Sequence, residues 1–300
     1  MLGEFCALGA ALTWSVSVIL FKRSEAISPF SMNLFKNAVA FILLMLTLVA
    51  LQIAPAWERS SEDWLRLIVS GVLGIAVADT LIFMALRRLG AGMLAVVDCI
   101  YAPTIVVLSV LVLGEQLSTA FVFGVVCVVV GVLLSTTEQE AEAEQGAAEE
   151  PKSGRAAGVA LGVAGIVAMA VGVILAKPAL DDGNLVEVTQ VRLIAGLIAQ
   201  GVWLAFLPDR REILAVFRET KVWRTLLPAS ILGTYIAMLL WMGGFKWAPV
   251  STASVLNQLA SVFTLLLAWI FLEERLSLRR AFGTLLAVAG AAAVLWTRMS

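Results

Sequence analysis

The sequence predicts an all-α integral membrane protein of ten transmembrane helices, arranged as two inverted five-helix repeats. Three observations carry this. The composition is too apolar for a soluble domain, the apolar residues fall into ten runs of membrane-spanning length, and the second half repeats the first across an acidic divider.

Of the 300 residues, 61% are hydrophobic and 14% charged, where a soluble domain carries nearer a quarter charged. A net charge of −1 gives no electrostatic footprint for nucleic acid. The chain has no histidine. Its three cysteines, Cys6, Cys99 and Cys127, sit inside apolar runs and read as buried thiols, so no metal site and no cofactor is expected.

The ten spans are 2–21, 29–53, 65–86, 91–113, 118–136, 156–176, 184–207, 225–245, 249–272 and 277–297. Each is close to the roughly 20 residues a helix needs to cross hydrocarbon. Their continuous apolarity excludes the alternating strands of a membrane barrel. The first span lacks a basic leader and an A-x-A-like end, so it is not expected to be cleaved.

The divider is Thr137–Arg155, TEQEAEAEQGAAEEPKSGR, with six glutamates and no aliphatic side chain larger than alanine. It cannot anchor a core and reads as a solvated, disordered linker. The expected organisation is therefore 1–136, a first five-helix repeat; 137–155, the linker; and 156–300, a second repeat.

The repeat is visible in register. A shift of 155 lays SVSVILFK (15–22) on AVGVILAK (170–177), identical at five of eight positions. A shift of 159 then lays VLG (72–74) on ILG (231–233) and GEQLS (114–118) on EERLS (273–277), and brings Phe123, Gly124 and Gly131 onto Phe282, Gly283 and Gly290. Five spans is an odd number, so the second repeat must enter the membrane from the opposite side. Inverted repeats of this kind commonly hold a solute site between them near mid-membrane and alternate access to it.

The same residues resemble the EamA-type transporters of the drug/metabolite transporter superfamily over nearly the whole chain outside the linker. The resemblance rests on Trp14 in LTWSVSVILFK, Lys36 seven residues after Pro29, its second-half counterpart Arg192, ALRRLGAG (85–92), Pro103, Glu115, ERLS (274–277) and GTLLAVAG (283–290). Two positions depart from it: lysine stands at 36 where the family has arginine, and Val262 stands where a second proline would match Pro103. The resemblance implies a secondary carrier of small metabolites, amino acids among them, with export ahead of uptake.

Orientation follows from the loops. Apart from Lys36 and Arg192, fourteen Lys and Arg fall in the loops and span ends of the linker side and five in those on the side of the termini. The positive-inside rule then places the linker in the cytoplasm of a plasma (inner) membrane and both termini outside. REILAVFRETKVW (211–223) reads as a short interfacial helix.

Chemistry is expected where polar groups persist inside spans. These are Lys36, Asp79, Asp98 and Arg192, accompanied by Tyr101, Asn257 and Gln258, with Trp14 deep enough to line a cavity. Lys36, Asp79 and Asp98 each lie about 10 Å below the linker face at 1.5 Å per residue. One lysine cannot neutralise two aspartates, so the layer offers a carboxyl for proton coupling. Lys36 and Arg192 could instead hold an anionic group of a solute. The competing reading is a static ion pair tying helices together, as in a channel-like or scaffold protein.

The remaining marked residues read as architecture. Gly124/Gly131 and Gly283/Gly290, seven apart, suit close packing of helices 5 and 10, within one chain or in a homodimer. Tryptophans at span ends read as interface anchors. Glu115 and Glu274 precede the N-termini of helices 5 and 10, where negative charge is favoured. The lack of histidine and of a Walker motif argues against an intramembrane metalloenzyme or direct ATP drive, so the expected partners are a small solute, with or without a proton, and the lipid bilayer.

Overall fold

The structure, a computed structural model, describes residues 1–22, 27–144, 152–272 and 278–297. Helices account for nearly all of it, and no strand occurs among the described residues. The first half contains α1 (Leu2–Lys22), α2 (Pro29–Ala50), α3 (Ser61–Gly71), a π-helical segment (Val72–Val77), α4 (Ala78–Asp98), α5 (Tyr101–Leu113) and α6 (Thr119–Glu144). The second contains α7 (Lys152–Asp182), α8 (Leu185–Phe206), α9 (Arg210–Ala215) with a 3₁₀ turn (Val216–Arg218), and α10 (Thr220–Ser230). It continues through a second π-helical segment (Ile231–Ile236), α11 (Ala237–Trp247), α12 (Val250–Asn257), α13 (Ala260–Leu272) and α14 (Leu278–Trp296).

Helix starts follow capping chemistry. Ser28 Oγ accepts from Ser31 N at 3.2 Å ahead of Pro29, a residue suited to the first helical position. Asn184 Oδ1 accepts from Val186 N at 2.9 Å and so fixes where α8 begins. Nine helical stretches among the described residues are long and apolar enough to cross a membrane. The fifth expected span is present within α6 as the apolar stretch Thr119–Ser135.

Three elements differ from expectation. The loop expected at 87–90 is helical. Yet a Cβ on Gly162 would lie 3.0 Å from Val97 Cγ1 and 3.5 Å from Ala85 Cβ. Twelve residues of straight helix would hold those two about 18 Å apart, so α4 folds back on itself and both arms lie against α7. The acidic segment is helical as far as Glu144 and again from Lys152; Ala, Glu and Gln are strong helix formers and continue α6. Residues 145–151 lie outside the described residues. Finally, 211–223 is not one interfacial helix. Its Ile213 and Val216 are buried, Val216 packing with Phe35, Val39 and Leu226.

The halves interlock. α1 packs on α11, α4 on α7, α2 on α8 and α6 on α14. Exchanging the halves by the sequence offsets sends the first pair onto the second and returns the other two onto themselves. The π segments are likewise 159 residues apart, as are the breaks after Asp98 and Asn257. Helices α6 and α14 touch through their glycines: a Cβ on Gly131 would stand 2.5 Å from Gly283 O, and one on Gly124 2.9 Å from Gly290 O. Both glycine pairs are thus occupied within the chain.

Candidate functional site

Two polar clusters lie inside the helical bundle. The first joins α2 to α4. Lys36 Nζ donates to Asp79 Oδ2 at 2.9 Å, with Lys36 5% exposed and the Asp79 side chain 18%. Asp79 sits in the first turn of α4, directly after the π segment, which places its carboxylate opposite α2. One helical residue on, Asn37 Nδ2 donates to Asn33 Oδ1 at 3.0 Å and to Gln200 Oε1 on α8 at 3.2 Å.

The second cluster is built on α8, α11 and the two helix breaks. Arg192 is 2% exposed. Its Nε donates to Ser70 Oγ at 2.7 Å, Nη1 contacts Met242 Sδ, and the guanidinium lies 5.9 Å from the Trp241 ring centroid, within cation–π range. Ser70 Oγ in turn donates to the Gly172 carbonyl. The close crossing of α3 and α8 that permits this depends on Gly71, where a Cβ would come within 2.1 Å of Arg192 O. The π segment adds room: Gly74 faces the guanidinium, its would-be Cβ 3.3 Å from Nη2.

Trp241 links the cation to the break. Its Nε1 donates to Tyr101 Oη at 3.2 Å, and its ring meets Phe245 edge-on at 4.9 Å. Tyr101 opens α5 just past the break at Cys99–Ile100, three residues after Asp98. From the matching break in the second half, Gln258 Nε2 reaches Asp98 O at 3.4 Å and Asp98 Oδ2 at 3.5 Å. Asn257 is buried with both amide atoms unpartnered, as is Gln258 Oε1.

The expected three-residue layer is therefore divided. Lys36 and Asp79 meet, while Asp98 meets Gln258; Tyr101, three residues on, meets Trp241, whose ring faces Arg192. Asp79 and Asp98 begin and end the folded α4, which accounts for their equal depth without contact. Trp14 is 39% exposed on α1 and takes no part in these hydrogen bonds among the described residues. Ser70, Gly71, Trp241 and Met242 escaped the sequence reading. For Trp241 no signal existed: it lies four residues from the end of its span, as Trp203 does.

The face carrying the termini is tied across the halves. Arg59 Nη1 and Nη2 donate to Glu187 Oε1 and Oε2 at 2.9 and 2.6 Å in a buried bidentate pair. Glu115 does not serve its own following helix. Its carboxylate accepts from Val250 N at 2.7 Å, Ser251 N at 3.2 Å and the Ser251 hydroxyl, so it satisfies the free amides opening α12. Glu274 lies outside the described residues.

Long apolar helices crossed by buried charged clusters define a multi-pass membrane protein. The EamA-like transporter family model matches residues 1–137 and 156–296, and the chain belongs to that family. It is similar to an uncharacterized transporter of Archaeoglobus fulgidus, 23% identical over 278 residues that make up 92% of each chain. A solved crystal structure has the same fold, with a TM-score of 0.80 at 20% identity, covering 99% of this chain and 98% of that one. Family and relative point to a transporter rather than an enzyme.

Proposed function

We propose that the protein is a secondary transporter of small metabolites bearing both a carboxylate and an ammonium group, amino acids and their relatives. One observation carries this reading. Among the described residues, Arg192 is a buried cation with no carboxylate partner, and Asp98 is a carboxylate with no cation partner. A buried charge is costly unless it is compensated. A solute with its carboxylate at Arg192 and its ammonium toward Asp98 compensates both, with Trp241 and Tyr101 forming the apolar wall between. Asn257 and Gln258 offer unused hydrogen bonds at the same break.

The two-fold pattern of helix pairs supports inverted repeats of five helices and, with them, alternating access. In that scheme Arg59–Glu187 and Glu115–α12 close the face carrying the termini. Asp98 is the carboxyl free to exchange a proton for coupling. Export, an inner-membrane location, a cytoplasmic linker and external termini complete the reading, from the family resemblance and the basic loops. A homodimer, if formed, would use the outer faces of α6 and α14, where Phe123 and Phe282 are exposed. The alternative of a structural ion pair is favoured at one place, Lys36–Asp79.

The test is counterflow in proteoliposomes with a panel of labelled amino acids, their decarboxylated amines and their deaminated acids. Transport of the zwitterions above both analogue sets is expected. Equal transport of an analogue lacking either charge would overturn the two-charge site.

A further inference from the structure

A groove of about 770 Å³ lies between the end of α2, the following loop, α3 and α8, apart from both polar clusters. Its walls are apolar: Met45 and Val49 on one side, Ile194 and Ile198 on the other, all among the exposed large hydrophobic residues. In a membrane-spanning chain such an opening faces lipid. We propose that this groove holds one acyl chain of a bilayer phospholipid, bound as a discrete site.

Dimensions and polarity argue for this occupant. From Glu187 to Ala199 the α8 wall runs about 18 Å at helical rise, close to the roughly 15 Å of hydrocarbon in one leaflet. The rim is where a headgroup would lie. Trp57 and Trp64 pair there with ring centroids 6.4 Å apart, and Arg59 lies 5.2 Å over the Trp64 ring beside its bidentate partner Glu187. Gln190, about 5 Å deeper than Glu187 along α8, contributes to the groove, is 2% exposed, and has neither amide atom hydrogen-bonded. That is the depth of the glycerol esters. Gln190 Nε2 donates to an ester carbonyl there, and Oε1 accepts from interfacial water. At the rim Arg59 and Glu187 neutralise each other, and the groove itself is lined mainly by apolar side chains, so the chemistry recognised is the ester and chain rather than a charged headgroup.

The purified full chain in phosphatidylcholine liposomes, with a trace of phosphatidylcholine carrying a diazirine midway along one acyl chain, tests the proposal. After illumination, cross-links are mapped by mass spectrometry. Labelling at residues 45–49 and 194–198 is expected to exceed that on the exposed outer faces of α6 and α14 by about fivefold or more, a difference of roughly 1 kcal/mol. Ala199→Phe, which fills the groove, and Val49→Trp, on an exposed position that spares folding, should each remove the excess. Gln190→Leu, which keeps the shape and loses the donor, should reduce it severalfold. The α6 and α14 labelling serves as the internal standard in all three. Uniform labelling of groove and outer faces, an excess that survives these variants, or labelling by diazirine-palmitate in place of the phospholipid probe would overturn the proposal.

Discussion

Lys36 and Arg192 are counterpart cations on α2 and α8, helices that correspond between the halves, yet their surroundings are opposite. Lys36 has Asp79 at 2.9 Å. Arg192 has a serine hydroxyl, a thioether and an indole face. The repeat explains the difference. Shifted by 159, Asp79 falls on Met238 and Asp98 on Asn257, so the second half kept its cation and holds no carboxylate at either position. A compensated charge pair can serve as a structural tie. An uncompensated one is expensive to keep buried, and in a transporter it is the natural place for a charged solute.

The largest expected effect comes from breaking the compensated pair. Asp79→Asn or Lys36→Met leaves one buried charge alone and should lower stability by about 3–5 kcal/mol, read as a large drop in melting temperature in detergent. The double change Lys36→Met with Asp79→Leu should recover most of it, as replacing both partners of a buried pair is often neutral. If the single variants melt like wild type, Lys36–Asp79 is no tie and the contrast with Arg192 collapses.

Next is Gly71→Ala. Its Cβ meets the Arg192 carbonyl, so α3 and α8 must separate, at a cost of about 1–3 kcal/mol. Arg192 should shift from Ser70 as a result, and counterflow should fall more than melting temperature does. A fall in melting temperature with transport per folded molecule unchanged would show that this crossing does not set the guanidinium's position.

At the other end of the scale, Glu115→Gln keeps the shape of the α12 cap but has one acceptor oxygen in place of two, so one of the amides of Val250 and Ser251 loses its partner together with the charge. A loss of about 1 kcal/mol is expected. If the contact also closes its face of the carrier, a cysteine placed at Ser251 should react faster with an impermeant thiol reagent in the variant. An unchanged rate would restrict Glu115 to capping.

Much of this architecture was legible in the sequence, and the reasons are physical. Apolar runs are readable because the bilayer leaves the backbone few options. The repeat is readable because helix-packing glycines such as Gly131 and Gly283 tolerate no side chain. Lys36, Asp79, Asp98 and Arg192 stand out as charges where charge is costly. Their partners did not. Depth along a helix places Asp98 level with Lys36, but azimuth and the fold in α4 decide that it meets Gln258 instead. The π segments at Val72–Val77 and Ile231–Ile236 have no composition of their own, so the widening that admits Arg192 beside Gly74 was unreadable. Glu115 caps α12 from 135 residues away, a partner that local capping logic cannot reach.

The most direct measurement is counterflow of a labelled amino-acid mixture by two double variants in one proteoliposome assay, normalised to folded protein. The Lys36→Met, Asp79→Leu protein should retain transport within a few-fold of wild type. The Arg192→Met, Asp98→Leu protein should lose it by about a hundredfold, roughly 2.7 kcal/mol, while melting near the wild-type temperature. Retained transport in the second variant, or its loss only in the first, would contradict the assignment of Arg192 and Asp98 as the solute-binding charges.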